Sequence, residues 1–151
     1  MDPFSLEAVK ASAEQGRVAE WVQDFLHGPG DNKALADGLR KAPRWWRGPL
    51  VMPLPLLERC CGPEPEMEFW QDPSTWEKQV SGIADFLSSG GEVPALIAEY
   101  RSGRLSLRDG SHRLEALREV GAPAAWVLTW YNSRADFDEH GRALGDAGTD
   151  K

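Results

Sequence analysis

The segment 104–121 constrains the fold most strongly, because its hydrophobic period changes from two to about 3.6 across an Asp-Gly step. Leu105 and Leu107 alternate with polar residues, which predicts a half-buried strand that ends at Asp109. Helical spacing follows, which predicts a helix from 111 to 120. The apolar residues of that helix are Leu114, Ala116, Leu117 and Val120. We therefore expect a strand, a glycine turn and a helix N-terminus in succession.

The first 44 residues have helical patterning. One apolar stripe predicts a helix from about residue 5 to 27, and the HGPGDN segment at its end predicts a stop, since Gly and Pro continue a helix poorly. Asp31 or Asn32 can cap a shorter second helix, which Pro43 ends. We expect residues 1–44 to form an N-terminal helical extension packed on the main body. The stripe consists of Val18, Trp21, Val22, Phe25 and Leu26.

Shorter elements fill the rest of the chain. Ser74, with Glu77 three residues later, forms a capping-box pattern that predicts a helix as far as Gly90-Gly91. From residue 134 the sequence is polar, and we expect a C-terminal tail over 134–151. The further predictions are strands at 50–54, 94–100 and 124–131, a helical turn at 55–61 and an acidic loop at 62–73.

Composition and charge exclude several classes of protein. The length of 151 residues suits one domain, and a formal charge of -7 disfavours binding along DNA. No run approaches the roughly 20 apolar residues of a membrane span. The MDPFSLEAVK start is unlike a secretory signal, so we expect a cytoplasmic protein. The adjacent Cys60 and Cys61 cannot staple distant segments or complete a zinc site, and we expect reduced thiols without a redox or metal function.

The turn after the 104–109 strand carries side chains that could hold an anion. N–H groups in the first turn of a helix lack intrahelical partners and carry partial positive charge. Ser111 adds a hydroxyl, and His112 and Arg113 add further donors. Asp109 could hold a magnesium ion or a ribose hydroxyl, or accept a proton from an attacking hydroxyl.

The same residues also have an ordinary structural interpretation. Asp109 and Ser111 are common N-cap residues, and Gly110 is a common turn residue. Arg113 could be a surface charge paired with Asp109 or Glu115. Local sequence leaves both interpretations open.

The run from Leu105 to Gly121 resembles the strand–turn–helix signature of the ParB/sulfiredoxin-like superfamily. Many small members of that superfamily carry an Asp-Gly-x-His-Arg version of it. The resemblance covers about residues 45–133. It implies an α+β fold, a small mixed sheet with helices, here with the N-terminal helical extension added. It also implies a phosphate-binding loop made of Gly110, Ser111, His112 and Arg113.

The function implied by this resemblance is nucleotide binding. The ligand would be a nucleoside di- or triphosphate of unknown base, with magnesium held at Asp109. The terminal phosphate would be hydrolysed or transferred to a small acceptor, with Asp109 and His112 as the catalytic residues. Sulfiredoxins place their working cysteine immediately before His-Arg, where this chain has Ser111, so we do not expect repair of cysteine sulfinic acid.

Two other functions stay open. A module that senses a nucleotide or binds a protein partner without turnover would use exposed tryptophans, for which Trp45, Trp46 and Trp70 are the candidates. A nuclease would need a metal-bound carboxylate cluster and a basic track for the backbone, and the sequence has no Lys/Arg stripe outside 40–47. We expect neither a membrane partner nor sequence-specific DNA binding.

Overall fold

A five-stranded mixed sheet organises the part of the chain that this computed structural model describes, residues 2–145. In chain order the strands are β1 (Trp45–Pro53), β2 (Leu57–Arg59), β3 (Cys61–Gly62), β4 (Phe69–Trp70), β5 (Leu96–Arg101), β6 (Arg104–Asp109) and β7 (Ala124–Tyr131). The main sheet has the order β1-β7-β5-β6-β2, and β3 pairs with β4 in a separate two-stranded sheet. Neighbours β1–β7 and β5–β6 are antiparallel, whereas β5–β7 and β2–β6 are parallel.

The helices are α1 (Leu6–Glu14), α2 (Val18–His27), α3 (Lys33–Leu39), α4 (Pro73–Ser88), α5 (Ser111–Glu119) and α6 (Arg134–Ala143). The prediction of a single helix over residues 5–27 is wrong, because the segment forms two helices, α1 and α2, with a turn between them. Gly16 lies there in the left-handed region, at φ +70°. A glycine adopts that conformation without the Cβ clash that other residues meet, so it ends α1 and lets α2 start in a new direction.

Each face of the main sheet is covered by its own apolar core. Alternation along β5 sends Ile97 to one face and Ala98 to the other. Ile97 joins Leu128 and Trp130 beneath the N-terminal helices, whose contribution includes the stacked rings of Trp21 and Phe25. The opposite face packs against α5 and α6 through Leu114 and Phe137. The N-terminal helices therefore form one layer of the fold.

The segment between β1 and α4 differs from the predictions. A 3-10 turn over Leu54–Leu56 leads directly into β2, where a helical turn was expected over 55–61. Helix α4 is capped by Asp72, whose carboxylate accepts the N–H of Thr75, and not by Ser74. Pro73 explains the difference, because proline favours the first helical position and so fixes the preceding residue as the cap.

The polar C-terminal segment contains a helix that was not expected. The Ser133 hydroxyl caps α6 by accepting the N–H of Asp136. Phe137 and His140 turn inward, and the ring of His140 stacks on Tyr100 at a centroid distance of 4.6 Å. The tail predicted over 134–151 is therefore wrong for 134–143, while residues 146–151 lie outside the described part.

The α+β fold class is confirmed, and the strands predicted at 94–100, 104–109 and 124–131 and the helix predicted at 111–120 are present as β5, β6, β7 and α5. The turn at Ser102-Gly103 has two left-handed residues, at φ +52° and +77°, as in the tight hairpin turns that match strand twist. Among the helices of residues 2–145, none combines the length and apolar character needed to cross a membrane.

Candidate functional site

The predicted strand–turn–helix is present, and Gly110 is the turn residue between the strand and the helix. Strand β6 ends at Asp109, α5 begins at Ser111, and Gly110 lies between them at φ +114°. A Cβ at this position would lie 2.7 Å from Leu96 Cδ2 and 2.8 Å from Arg113 Nη2. The turn therefore needs glycine both for its backbone conformation and for space.

The N-terminus of α5 has no side-chain cap. Gly110 itself is the N-cap residue, and among residues 2–145 no side chain accepts a hydrogen bond from the first turn. Asn32, Asp72 and Ser133 do supply such an acceptor to their own helices. The interpretation of Asp109 and Ser111 as ordinary caps is therefore wrong, and within the described part of the chain the first-turn N–H groups have no side-chain acceptor.

Asp109 forms a buried ion pair with Arg113. An Nη of Arg113 lies 3.0 Å from Asp109 Oδ2, and the two side chains are only 13% and 11% exposed. The other carboxylate oxygen accepts a hydrogen bond from Asn32 Nδ2 at 3.1 Å. The guanidinium lies 5.3 Å from the centroid of the Phe25 ring. Of the alternatives for Arg113, pairing with Asp109 is the one observed, but the pair is buried and not on the surface.

Arg113 retains unused hydrogen-bonding capacity. Its Nε is buried and has no hydrogen-bond partner among residues 2–145, and the contact of its Nη2 to the carbonyl of Ala95 is long at 3.5 Å. The guanidinium lies beneath the turn and stabilises its conformation through Asp109. This arrangement assigns Arg113 to support of the turn in the structure as it stands.

His112 is held on the α4 side of the turn. Its Nε2 lies 2.6 Å from Gln71 Oε1, and its ring lies 4.5 Å from that of Trp76. Gln71 donates its amide N–H to Gln79, so its Oε1 faces His112 and the ring nitrogen Nε2 is the donor. Burial, together with the positive charge of Arg113, lowers the pKa of His112 below its usual 6.5. A neutral ring protonated at Nε2 leaves Nδ1 as an acceptor.

Two pockets meet at the turn. The first, called here the α3 pocket, has a volume of about 560 Å³, and the second, the α4 pocket, about 790 Å³. Asp109, Gly110 and His112 line both of them. The α3 pocket is further lined by Ala34, Leu35, Cys60, Cys61, Phe69, Arg108 and Ser111, and the α4 pocket by Gln71, Lys78, Gln79, Ile83, Phe86 and Arg113. Ligand could therefore reach the turn from either side.

Arg108 is a site residue that sequence analysis missed. Its guanidinium is held in the α3 pocket by both carboxylate oxygens of Glu68, at 3.0 and 3.2 Å. The Glu68 side chain is 57% exposed, and the hydrogen bond from Arg108 lowers the pKa of its carboxyl. A sequence pattern could have identified it, because the alternation along β6 places Arg108 on the polar face of the strand, opposite Leu105 and Leu107.

Asn32 and Phe69 were also missed, for different reasons. Asn32 belongs to the loop before α3 and meets Asp109 from 77 positions away, so no local pattern reveals the contact. Phe69 is carried to the pocket by the small β3–β4 sheet within the expected acidic loop. Two-residue strands give no periodic signal.

The two thiols line the α3 pocket but are protected by burial. Cys60 is buried, and Cys61 is partly so; both are free cysteines. Burial raises the pKa of each thiol above its ordinary value. Because the thiolate is the reactive form of cysteine, burial disfavours that form at both positions.

The site residues do not form a metal site on their own. Residues 2–145 contain no group of three or more His, Cys, Asp or Glu side chains placed to hold a metal ion. Both oxygens of Asp109 already accept hydrogen bonds, from Asn32 and Arg113. In the acidic loop, Glu64 pairs with Arg59. Magnesium at Asp109 therefore stays a prediction, and no chemical step is derived through it.

The three tryptophan candidates do not form one surface. Trp46 packs into the core beneath the N-terminal helices, with its ring 6.1 Å from that of Trp130, whereas Trp45 packs against the opposite core. Trp70 alone of the three is exposed, at 59%. Trp45 and Trp46 are therefore structural side chains.

No family model matches the chain, and no curated protein does. A Pnob8-like ParB-N domain is similar at 17% identity and a TM-score of 0.42, over 64% of this chain and 34% of that one. Sulfiredoxin from Arabidopsis thaliana is similar at 20% identity and a TM-score of 0.42, over 61% of this chain and 97% of that one.

Replacing Gly110 tests the fit of the turn. Gly110→Ala should lower the free energy of unfolding by about 3 kcal/mol, because it adds a steric clash to the strain of a positive φ. Gly121→Ala is the matched control, since φ there is +82° but the space is open, and it should cost about 1 kcal/mol. Urea unfolding measures both, and equal losses would contradict the close approach at Gly110.

The environment of His112 predicts a pH dependence of stability. The pKa of His112 is lower in the folded protein than the 6.5 of the unfolded chain. At a pH between the two pKa values, the unfolded state therefore binds more protons than the folded state. The free energy of unfolding should therefore fall as the pH drops below about 6.5, until the folded pKa is passed. Urea titrations across this range should show a smaller loss for His112→Gln, with the same change at exposed His27 as control. An unchanged slope in His112→Gln would refute this assignment.

Proposed function

We propose that this chain binds a nucleotide in the α3 pocket, with its phosphates at the N-terminus of α5. The observation that carries the proposal is the uncapped first turn of α5, which lines a pocket also lined by Arg108 and Phe69. An anion at that turn would accept hydrogen bonds from N–H groups that no side chain of the described residues uses, and would lie at the positive end of the helix dipole.

Arg108 is the cation best suited to contact a phosphate. Its two Nη groups hold the two oxygens of Glu68 in the bidentate arrangement that guanidinium also forms with phosphate. Because Glu68 is largely exposed, it can be displaced into solvent when a phosphate enters. Ser111 lines the same pocket, and its hydroxyl would add a donor. This assignment moves the direct phosphate contact from Arg113, as the family resemblance implied, to Arg108.

The remaining wall of the α3 pocket suits an aromatic base. Ala34 and Leu35 from α3 provide an apolar side, and Phe69 is 53% exposed and lines the pocket. A planar base can stack on an exposed aromatic ring while its phosphates reach the turn, an arrangement that supports a nucleotide over inorganic phosphate. The volume of about 560 Å³ is within the usual range for small-molecule sites.

Phosphate transfer or hydrolysis is the second part of the proposal. Of the two catalytic candidates, His112 is the better placed to accept a proton, because its Nδ1 is the acceptor in the neutral tautomer. Asp109 already has both oxygens engaged. Product formation on incubation with nucleotide would separate an enzyme from the alternative, a sensing module that binds without turnover.

Exchange of Arg108 tests the phosphate contact. Arg108→Gln should weaken nucleotide binding by about 1.5–3 kcal/mol, the usual value of a hydrogen bond to a charged group. Arg104→Gln is the matched control, since Arg104 lies on the same strand, pairs with Glu58 and does not line the α3 pocket. The measurement is calorimetric titration with ATP, ADP, CTP and GTP, with and without magnesium. Absence of binding by the wild-type protein, or equal affinities of the two variants, would contradict the proposal.

Exchange of Phe69 tests the position of the base. Phe69→Ala should weaken nucleotide binding by about 1–3 kcal/mol through loss of stacking. It should weaken the binding of inorganic pyrophosphate less, because that ligand loses only the contact of the ring with Arg108, whose guanidinium lies 5.7 Å from the ring centroid. Trp70→Ala removes the neighbouring exposed ring, which does not line the α3 pocket, and serves as the control. If Trp70→Ala alone weakened nucleotide binding, the base would lie elsewhere.

A further inference from the structure

We infer that the N-terminal helices are part of the ligand site, and that Asn32 is a positioning residue which holds Asp109 away from the incoming phosphate. This inference rests on the proposed function, since it concerns the same turn. It goes beyond that function because it assigns a binding contribution to residues 1–44, which lie outside the resemblance to a known family.

The loop between α2 and α3 aims Asn32 at the turn. The Asn32 N–H donates to the carbonyl of Leu26 at 2.8 Å, and the Gly30 N–H donates to that of Phe25 at the same distance. Asp31 lies between them in the left-handed region, at φ +47°. These backbone bonds fold the loop back onto the end of α2, so the position of Asn32 is fixed by its own helix.

The side-chain amide of Asn32 makes two contacts at once. Its Oδ1 accepts the N–H of Leu35 and thereby caps α3, and its Nδ2 donates to Asp109 Oδ1. Capping alone would be served as well by Ser or Asp, which have similar preference for the N-cap position. The donor to Asp109 is the property that Asn adds.

The N-terminal helices contact both members of the buried ion pair. Asn32 binds Asp109, and the ring of Phe25 in α2 faces the guanidinium of Arg113. Two residues of the same loop, Gly30 and Asp31, line both pockets. The extension therefore supplies a wall of the site as well as a hydrogen bond to it.

The hydrogen bond from Asn32 fixes the orientation of the Asp109 carboxylate. With Oδ1 held by Asn32 and Oδ2 held by Arg113, the carboxylate is directed into the protein. Without the Nδ2 donor, Oδ1 would be free to turn toward the first-turn N–H groups of α5. It would then compete with phosphate for the same positive end of the helix.

The experiment separates this positioning from capping. Asn32→Ser keeps an acceptor for α3 but cannot reach Asp109, and it should weaken ATP binding about tenfold. In an Asp109→Asn background there is no charge to release, so Asn32→Ser should change the affinity by less than about twofold. Ser5→Ala, which removes the cap of α1 within the same extension, is the control and should leave the affinity unchanged.

A second variant keeps the test valid even if Asp109→Asn fails to fold. Asn32→Asp retains the cap acceptor but sets a carboxylate against that of Asp109, so it should weaken ATP binding more than Asn32→Ser does. If the wild-type protein binds ATP and Asn32→Ser binds it equally well, the inference is overturned while the proposed function stands. If Asn32→Ser weakened ATP binding as much in the Asp109→Asn background as in the wild-type protein, its effect would not act through Asp109, and the inference would be overturned. No ATP binding by the wild-type protein would overturn both.

Discussion

The buried ion pair of Asp109 and Arg113 is the interaction on which the rest of the site depends. It joins the end of β6 to the first turn of α5 across Gly110, and it is completed by Asn32 from a different layer of the fold. Removing one partner of a buried pair leaves an uncompensated charge, which costs about 3–5 kcal/mol. The pair therefore stabilises the turn. It also makes Arg113 a poor candidate for a ligand-binding residue, because Arg113 would have to break the ion pair with Asp109 to bind a ligand.

The layers of the fold explain why the site lies where it does. The central sheet carries one apolar core beneath the N-terminal helices and another beneath α5 and α6. The turn at Gly110 lies where β6 leaves the sheet, with α3 on one side of it and α4 on the other. Each gap is a pocket, and both pockets share the turn. A ligand bound at the N-terminus of α5 would therefore lie next to the central sheet and next to either α3 or α4.

The sequence predicted the central part of this site and missed its surroundings. The change of hydrophobic period across Asp109-Gly110 located the strand, the turn and the helix, because these elements are encoded locally. The partners of Asp109 and Arg108 were not predictable, since Asn32 and Glu68 reach them through tertiary folding over 77 and 40 positions. Short strands β3 and β4 escaped detection for lack of periodicity. A polar segment was taken for a tail because the inward face of α6 consists of few side chains, among them Phe137 and His140.

The central claim is that phosphate binds at the N-terminus of α5, and amide resonances report on it directly. In a titration of isotope-labelled protein with ATP, followed by two-dimensional NMR, the account predicts the largest shifts at the N–H groups of Ser111, His112 and Arg113. Those of the Arg108 side chain should shift as well, whereas inorganic pyrophosphate should reproduce the amide shifts without those of Phe69. Shifts that cluster on another surface and leave the amides of the α5 first turn unmoved would contradict the account.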